Sequence, residues 1–171
     1  KEKYLRPMAR GELLSAFCLT EPQGGSDASA IRTRAERRRG TYILNGTKQF
    51  ITSGKNADIA LVFAATDLGQ GKQGISCFIV DMRSPGIEIR PLVQAQGVAH
   101  FNEVFLSDVR VPAANIVGEV GGGWKVTRTT LRSESSMISG AGQATGFAAV
   151  LNTARRLGRT AKPPLPLRIQ V

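Results

Sequence analysis

The chain has 171 residues, of which 42% are hydrophobic and 21% charged, with a formal net charge of +10. That composition belongs to one globular domain, or to one domain and part of another. No apolar run approaches the roughly 20 residues of a membrane helix, and the opening KEKYLRPMARGE has charge but no apolar core of a secretory signal.

The opening also lacks an initiator Met and reads like mid-chain sequence, so a piece of a longer protein is expected. Cys18 and Cys77 lie far apart with no CxxC spacing, which argues against zinc and fits a reducing compartment. His100 is the one histidine, so a Ser-His-Asp triad could be built around that imidazole alone. Beside Phe101 at a strand start it reads as a structural hydrogen-bonding residue. The positive charge is uneven. Residues 121–171 hold 8 Lys/Arg against a single acid, Glu134, whereas residues 1–120 hold 15 basic and 12 acidic residues. A basic tail suits an anionic ligand, a partner subunit or a nucleic acid, and equally a solvated helix face whose acidic partners lie elsewhere.

From Ser15 to about Pro112 the pattern is that of strands. LLSAFCLT, IRTRAERR, TYILNGT, QFITSG, IALVFAAT, GISCFIVDM, IEIRPLV and NEVFLSDVRV are short runs rich in β-branched and aromatic residues. Turn-forming segments such as PQGGSD, RRG, SGKNAD and RSPG separate them. Arg32, Arg34 and Glu36 alternate with Thr33 and Ala35, which predicts one wet face. Asn45-Gly46 between two such runs is a tight-turn signal. Seven or eight strands at this spacing predict a closed or nearly closed antiparallel barrel or sandwich. After VPAANIVGEVGGG the period changes. Trp124, Leu131, Ile138 and Thr145 recur every seven residues as on a helix face, SGAGQATGFAAV is small enough for a close neighbour, and Pro163, Pro164 and Pro166 end the pattern. Residues 1–120 are therefore expected to be a β domain and 121–171 the start of a truncated α domain.

Two segments share a layout. AFCLTEPQGGSD and QFITSG each put an aromatic (Phe17, Phe50) and a hydroxyl (Thr20, Thr52) at the edge of a glycine turn. A flat heteroaromatic ligand needs an apolar plate on one face and donors at its rim. Gly24, Gly25 and Ser26 could also approach a phosphate. The competing readings are core aromatics for Phe17 and Phe50 and a plain turn or cap for Ser26 and Asp27. RTRAERRRG carries no interleaved stacking aromatics, so no nucleic-acid partner is expected.

FCLTEPQGGSD, LNGTKQFITSG, GISCFIVDMRSPGIEIRPL, HFNEVFLSDVRVP and VGEVGGGWKV occur in the order and spacing of acyl-CoA dehydrogenases. The chain resembles the middle β domain of that family, followed by the first helix of its C-terminal bundle. The resemblance implies an FAD cofactor held by Phe17, Leu19, Thr20, Gly25, Ser26, Phe50, Ile51 and Thr52, with Ser26 also beside the acyl thioester. It places Phe50 where relatives usually have Trp, and it places Thr52 toward the flavin N5. It implies α,β-dehydrogenation of an acyl-CoA to a trans-2-enoyl-CoA, with electrons passed to an electron-transfer flavoprotein. It further implies a dimer or tetramer of the full-length enzyme, in a bacterial cytoplasm or a mitochondrial matrix.

The base is expected either downstream of this chain or, as in a minority of relatives, at Glu134. From the residues alone Glu134 reads first as a solvated helix carboxylate paired with Arg128 or Arg132, and many relatives have Arg where this chain has Ser135. An acyl-CoA oxidase, or a β module that has lost its flavin, would share most of these motifs.

Overall fold

A computed structural model describes residues 2–140 and 152–156. A short helix α1 (Leu5–Ala9) precedes β1 (Ser15–Cys18), β2 (Arg34–Arg38), β3 (Thr41–Thr52), β4 (Ile59–Ala65), β5 (Ile75–Asp81), β6 (Ile87–Leu92) and β7 (Phe101–Pro112), and α2 (Gly123–Gly140) follows. The chain divides into a unit ending at Arg128 and a second one from Thr129. The expected continuation of the helical stripe at Thr145 and the three prolines lie outside the described residues.

The seven strands make one curled, mainly antiparallel sheet, a half-barrel. It is mixed rather than wholly antiparallel: β1 and β2 both run parallel to β4, β1 from Ser15↔Ile59 to Cys18↔Val62 and β2 through Arg34↔Ala65. Because β5 occupies the other edge of β4 along its whole length, β1 and β2 share one edge and act as two halves of an interrupted strand. The chain leaves the sheet between them, over residues 19–33. β2 then pairs antiparallel with β3, β3 with β7, and β7 with β6.

Alternation decides which residues face the core. Tyr42 and Leu44 on β3, Ala60, Val62 and Ala64 on β4, Phe78 and Val80 on β5, and Val104, Leu106, Val109 and Val111 on β7 form the main apolar cluster. Arg32, Arg34 and Glu36 are exposed while Thr33 and Ala35 are buried, as their spacing predicts. β4 is buried on both faces. Its second face carries Phe63, which packs with Leu19, Ile31, Ile75 and Cys77 under Phe17, Ala28, Trp124 and Val126. The start of α2 can lie that close because position 123 is glycine: a Cβ there would come 2.8 Å from the Ile75 carbonyl oxygen. Both thiols are buried, and burial pushes Cys18 and Cys77 up to about 12, which leaves them inert.

Asn45-Gly46 is not a hairpin turn. TYILNGT and the QFIT of QFITSG belong to one 12-residue strand, β3, which ends at Thr52. Between Leu44↔Val109 and Gly46↔Leu106 the partner β7 carries one residue more than β3, a bulge at Asp108 with φ +53°. The Asn45 side chain satisfies it. Its Nδ2 donates to Asp108 Oδ1 and its Oδ1 accepts from the Asp108 N–H, both at 2.9 Å. Gly46 is required by crowding as well as by its φ of +153°, since a Cβ would stand 2.4 Å from Thr33 Oγ1 and 2.7 Å from Thr33 Cα. Gly46→Ala should therefore lower stability by about 1–3 kcal/mol. By contrast Gly25→Ala, which meets nothing within 4 Å, should stay within about 0.5 kcal/mol. Urea unfolding midpoints of the two variants check both expectations.

Candidate functional site

The interruption between β1 and β2 needs polar closure, because the half-strands leave peptide groups without ladder partners. Lys48 and Glu21 supply it. Lys48 falls at an inward position of β3, in phase with Tyr42 and Leu44, and its side chain is fully buried. Its Nζ donates to Glu21 Oε1 at 2.7 Å and to the Leu19 carbonyl at 3.2 Å. The Glu21 carboxylate in turn accepts the N–H groups of Arg32 at 2.7 Å and Thr33 at 3.1 Å. One ion pair thus fastens the end of the first half-strand, the start of the second and the adjoining strand.

Burial alone would raise the Glu21 carboxyl, but the Lys48 charge and hydrogen bond, with the backbone N–H of Arg32, hold it below the usual carboxylate range. Burial is the larger influence on Lys48 and draws it below the usual lysine range against the pull of Glu21.

Above this pair the two glycine-turn segments meet. The Gln49 N–H donates to the Thr20 carbonyl at 2.9 Å, joining the FCLTEP and QFITSG runs directly. Between Lys48↔Val104 and Ile51↔Asn102, β3 carries one residue more than β7, so Gln49 and Phe50 form a second bulge. Phe50 sits there at φ +58° with 59% of its surface exposed. A bulky residue in the left-handed region is strained. An exposed ring held in that way is not a core aromatic, whereas Phe17 is half-buried and stands edge-on to Phe63 with centroids 5.1 Å apart.

Leu19 and Ile51 are buried; Gly25, Ser26 and Thr52 are exposed, and Thr20 is half-buried. The described residues give the hydroxyls of Thr20, Ser26 and Thr52 no hydrogen-bond partner. Unused donors on Thr20 and Thr52, in the two segments that the Gln49–Thr20 bond joins next to an exposed, strained ring, are a set that fits the rim and face of a planar heterocycle.

Neither acid of the first turn is free for proton transfer. Glu21 belongs to the buried pair. Asp27 accepts from the Ser29 hydroxyl and from the Ser29 N–H at 3.0 Å, bonds that hold its carboxyl below the usual range in an Asx-type turn. Glu134 is an exposed residue of α2, in the part of the chain beyond Arg128. Among the described residues no cluster of three or more His, Cys, Asp or Glu side chains is placed to hold a metal ion. No described helix is long and apolar enough to cross a membrane.

The sequence reading missed Lys48 and Asn102. The signal for Lys48 was present: a lone lysine at an inward position of an apolar strand requires a buried acid.

Comparison with known proteins supports the same region. Residues 16–109 match the model of the acyl-CoA dehydrogenase middle domain. A short-chain specific acyl-CoA dehydrogenase of Megasphaera elsdenii is 44% identical over 151 residues, covering 86% of this chain and 39% of the relative. The mitochondrial very long-chain specific acyl-CoA dehydrogenase of Bos taurus is also 44% identical, over 142 residues, covering 78% of this chain and 22% of the relative. The crystal structure of a probable acyl-CoA dehydrogenase from Mycobacterium abscessus superposes with a TM-score of 0.79 at 35% identity, covering 99% of this chain and 45% of that one. This chain therefore spans well under half the length of these relatives.

Lys48→Met should destabilise the protein by about 3–5 kcal/mol, because it leaves Glu21 buried without its cation. Glu21→Gln combined with Lys48→Met should recover most of that loss. The pH dependence has a definite sign. A carboxyl whose folded pKa is depressed stabilises fully above its unfolded value, and that stability is lost as pH falls through the folded one. The wild type should thus lose stability below about pH 4, and Glu21→Gln should flatten that acid limb in urea titrations.

Proposed function

The chain belongs to the acyl-CoA dehydrogenase family, whose middle domain it contains, and we propose that it forms the flavin-facing part of an FAD-dependent acyl-CoA dehydrogenase. The reaction is α,β-dehydrogenation of an acyl-CoA thioester to a trans-2-enoyl-CoA. The observation that carries this reading is the Gln49–Thr20 backbone bond. It unites two ring-and-hydroxyl turns into one surface with unused donors.

FAD, when bound, supplies the acceptor for the hydride that leaves the substrate Cβ. The residues of this chain hold and orient. Thr20 and Thr52 present hydroxyls to the ring's polar rim, and a fixed donor there costs little reorganisation as the ring gains electron density. Phe50 supplies an apolar face, while Ile51 in the main apolar cluster and Leu19 and Phe17 in the second one anchor the two cofactor-facing segments. Gly25 and Ser26 give an unencumbered turn for phosphate, and Ser26 also lies toward the thioester.

Removal of the Cα proton needs a carboxylate shielded from water. Glu21 and Asp27 are committed elsewhere, and the resemblance to those relatives that carry the base on this helix makes Glu134 the candidate that this chain supplies. Its shielding would have to come from parts of the protein outside these residues.

The chain is 44% identical both to a short-chain and to a very long-chain specific relative, so overall identity points to neither acyl length. The proposal extends to a domain boundary near residue 120 and a dimeric or tetrameric full-length enzyme. It also extends to electron delivery to an electron-transfer flavoprotein, in a bacterial cytoplasm or a mitochondrial matrix.

The full-length protein should purify with a chromophore absorbing at about 450 nm, and the 171-residue chain by itself should bind FAD poorly and turn over nothing. A colourless full-length protein that takes up no FAD would replace this reading with that of a β module without flavin. Rapid reoxidation by oxygen would favour an oxidase. In the full-length enzyme Glu134→Gln should lower kcat by about 10²–10⁴-fold. Unchanged turnover would place the base outside this chain.

A further inference from the structure

Asn102, on β7, is only 2% exposed and faces Ile51, the first residue after the bulge that carries Phe50. Its Nδ2 donates to the Ile51 carbonyl oxygen at 3.0 Å, and its Oδ1 is buried with no partner. Only the donor end of the amide can face a carbonyl oxygen, so the orientation is fixed and the acceptor is stranded. An apolar side chain of the same size would fill this position without a stranded oxygen, and a buried amide with half its capacity unused calls for an explanation. Asn102 also abuts the turn after β3, since a Cβ built on Gly54 would lie 3.4 Å from Asn102 Cβ.

What Asn102 does that an apolar residue would not is grip one peptide plane. The Ile51 carbonyl and the Thr52 N–H share a planar trans peptide, with no cis bond among the described residues, so fixing the carbonyl fixes the N–H in the opposite sense. The grip acts just where a strained residue, Phe50, gives way to an exposed hydroxyl residue, Thr52. Further along, the Ser53 N–H is held by the His100 carbonyl at 3.0 Å, and before the bulge the Gln49 N–H is held by the Thr20 carbonyl. The segment from Gln49 to Ser53 is thus held by these bonds, by the ladder pairs Ile51↔Asn102 and Thr52↔Phe101 and by Gln49 Nε2 donating to Glu103 Oε1 at 3.4 Å. Asn102 is the side chain that grips the Ile51 carbonyl.

We propose that Asn102 is a positioning residue for the flavin rim: it sets the direction of the Thr52 peptide and hydroxyl through Ile51 without touching the ligand. This inference rests on the flavin reading given above.

The test uses the full-length protein that contains this chain, with Asn102→Leu as the main variant and Asn102→Ala for the case in which Leu fails to fold. The readouts are far-UV circular dichroism, the FAD dissociation constant by fluorescence quenching, and the visible spectrum and midpoint potential of the bound flavin. The expected result is a folded variant whose FAD dissociation constant rises on the order of tenfold or more, with an altered flavin spectrum and potential. A folded variant with wild-type FAD affinity, spectrum and potential overturns the inference. So does weaker FAD binding that tracks lost stability while spectrum and potential stay unchanged, because that is a structural role alone. A wild-type protein that takes up no FAD overturns the proposed function itself, and this inference with it.

Discussion

A lysine ammonium and a glutamate carboxylate, both withdrawn from water, hold together the place where this sheet is broken. A sheet in which β1 and β2 formed one uninterrupted strand would need no such device. Here the chain departs after β1 and returns at β2, and the peptide groups at both lips must be paired inside the protein. Lys48 reaches the outgoing lip through the Leu19 carbonyl, and Glu21 reaches the returning one through two peptide N–H groups. Charged groups are costly to bury, and a buried pair is weak evidence of net stability. Its value here is positional, since an apolar plug could fill the gap but could not bind both lips and the next strand at once.

From that anchor the site follows. Gln49, the neighbour of Lys48, ties the second glycine-turn segment to the first. Two residues further the bulge turns Phe50 outward, and the strand resumes with Ile51 inward. Meanwhile the departing chain lays Ala28 and Ile31 against Phe63 and Trp124, so that it packs as a second layer over β4. Strain at Phe50 and idle hydroxyls at Thr20, Ser26 and Thr52 are features that folding alone does not explain. The Gln49–Thr20 bond brings the segments of Thr20 and Phe50 together at the break.

Much of this was legible in the residues. Alternation located the strands, including the wet face at Arg32, Arg34 and Glu36, and the paired ring-and-hydroxyl layout pointed to the two segments that meet. The failures have physical reasons. Asn45-Gly46 carries the chemistry of a hairpin turn, but its amide pairs with Asp108 and its glycine makes room for Thr33, and both partners are far away in sequence. The parallel pairings could not be read locally, because a strand split by fifteen residues looks like two separate antiparallel candidates. The left-handed Phe50 was invisible for a related reason. Phenylalanine advertises an extended backbone, and only the count of residues against β7 reveals the extra one.

The break between β1 and β2 has a consequence for how such a protein can diversify. In an unbroken strand a single inserted residue transfers every later side chain to the opposite face. Here the two half-strands are registered independently, one on the first part of β4 and the other at its end. Natural variants could therefore lengthen or shorten the connecting arm, and so reshape what it cradles, while the framework beneath keeps its alignment.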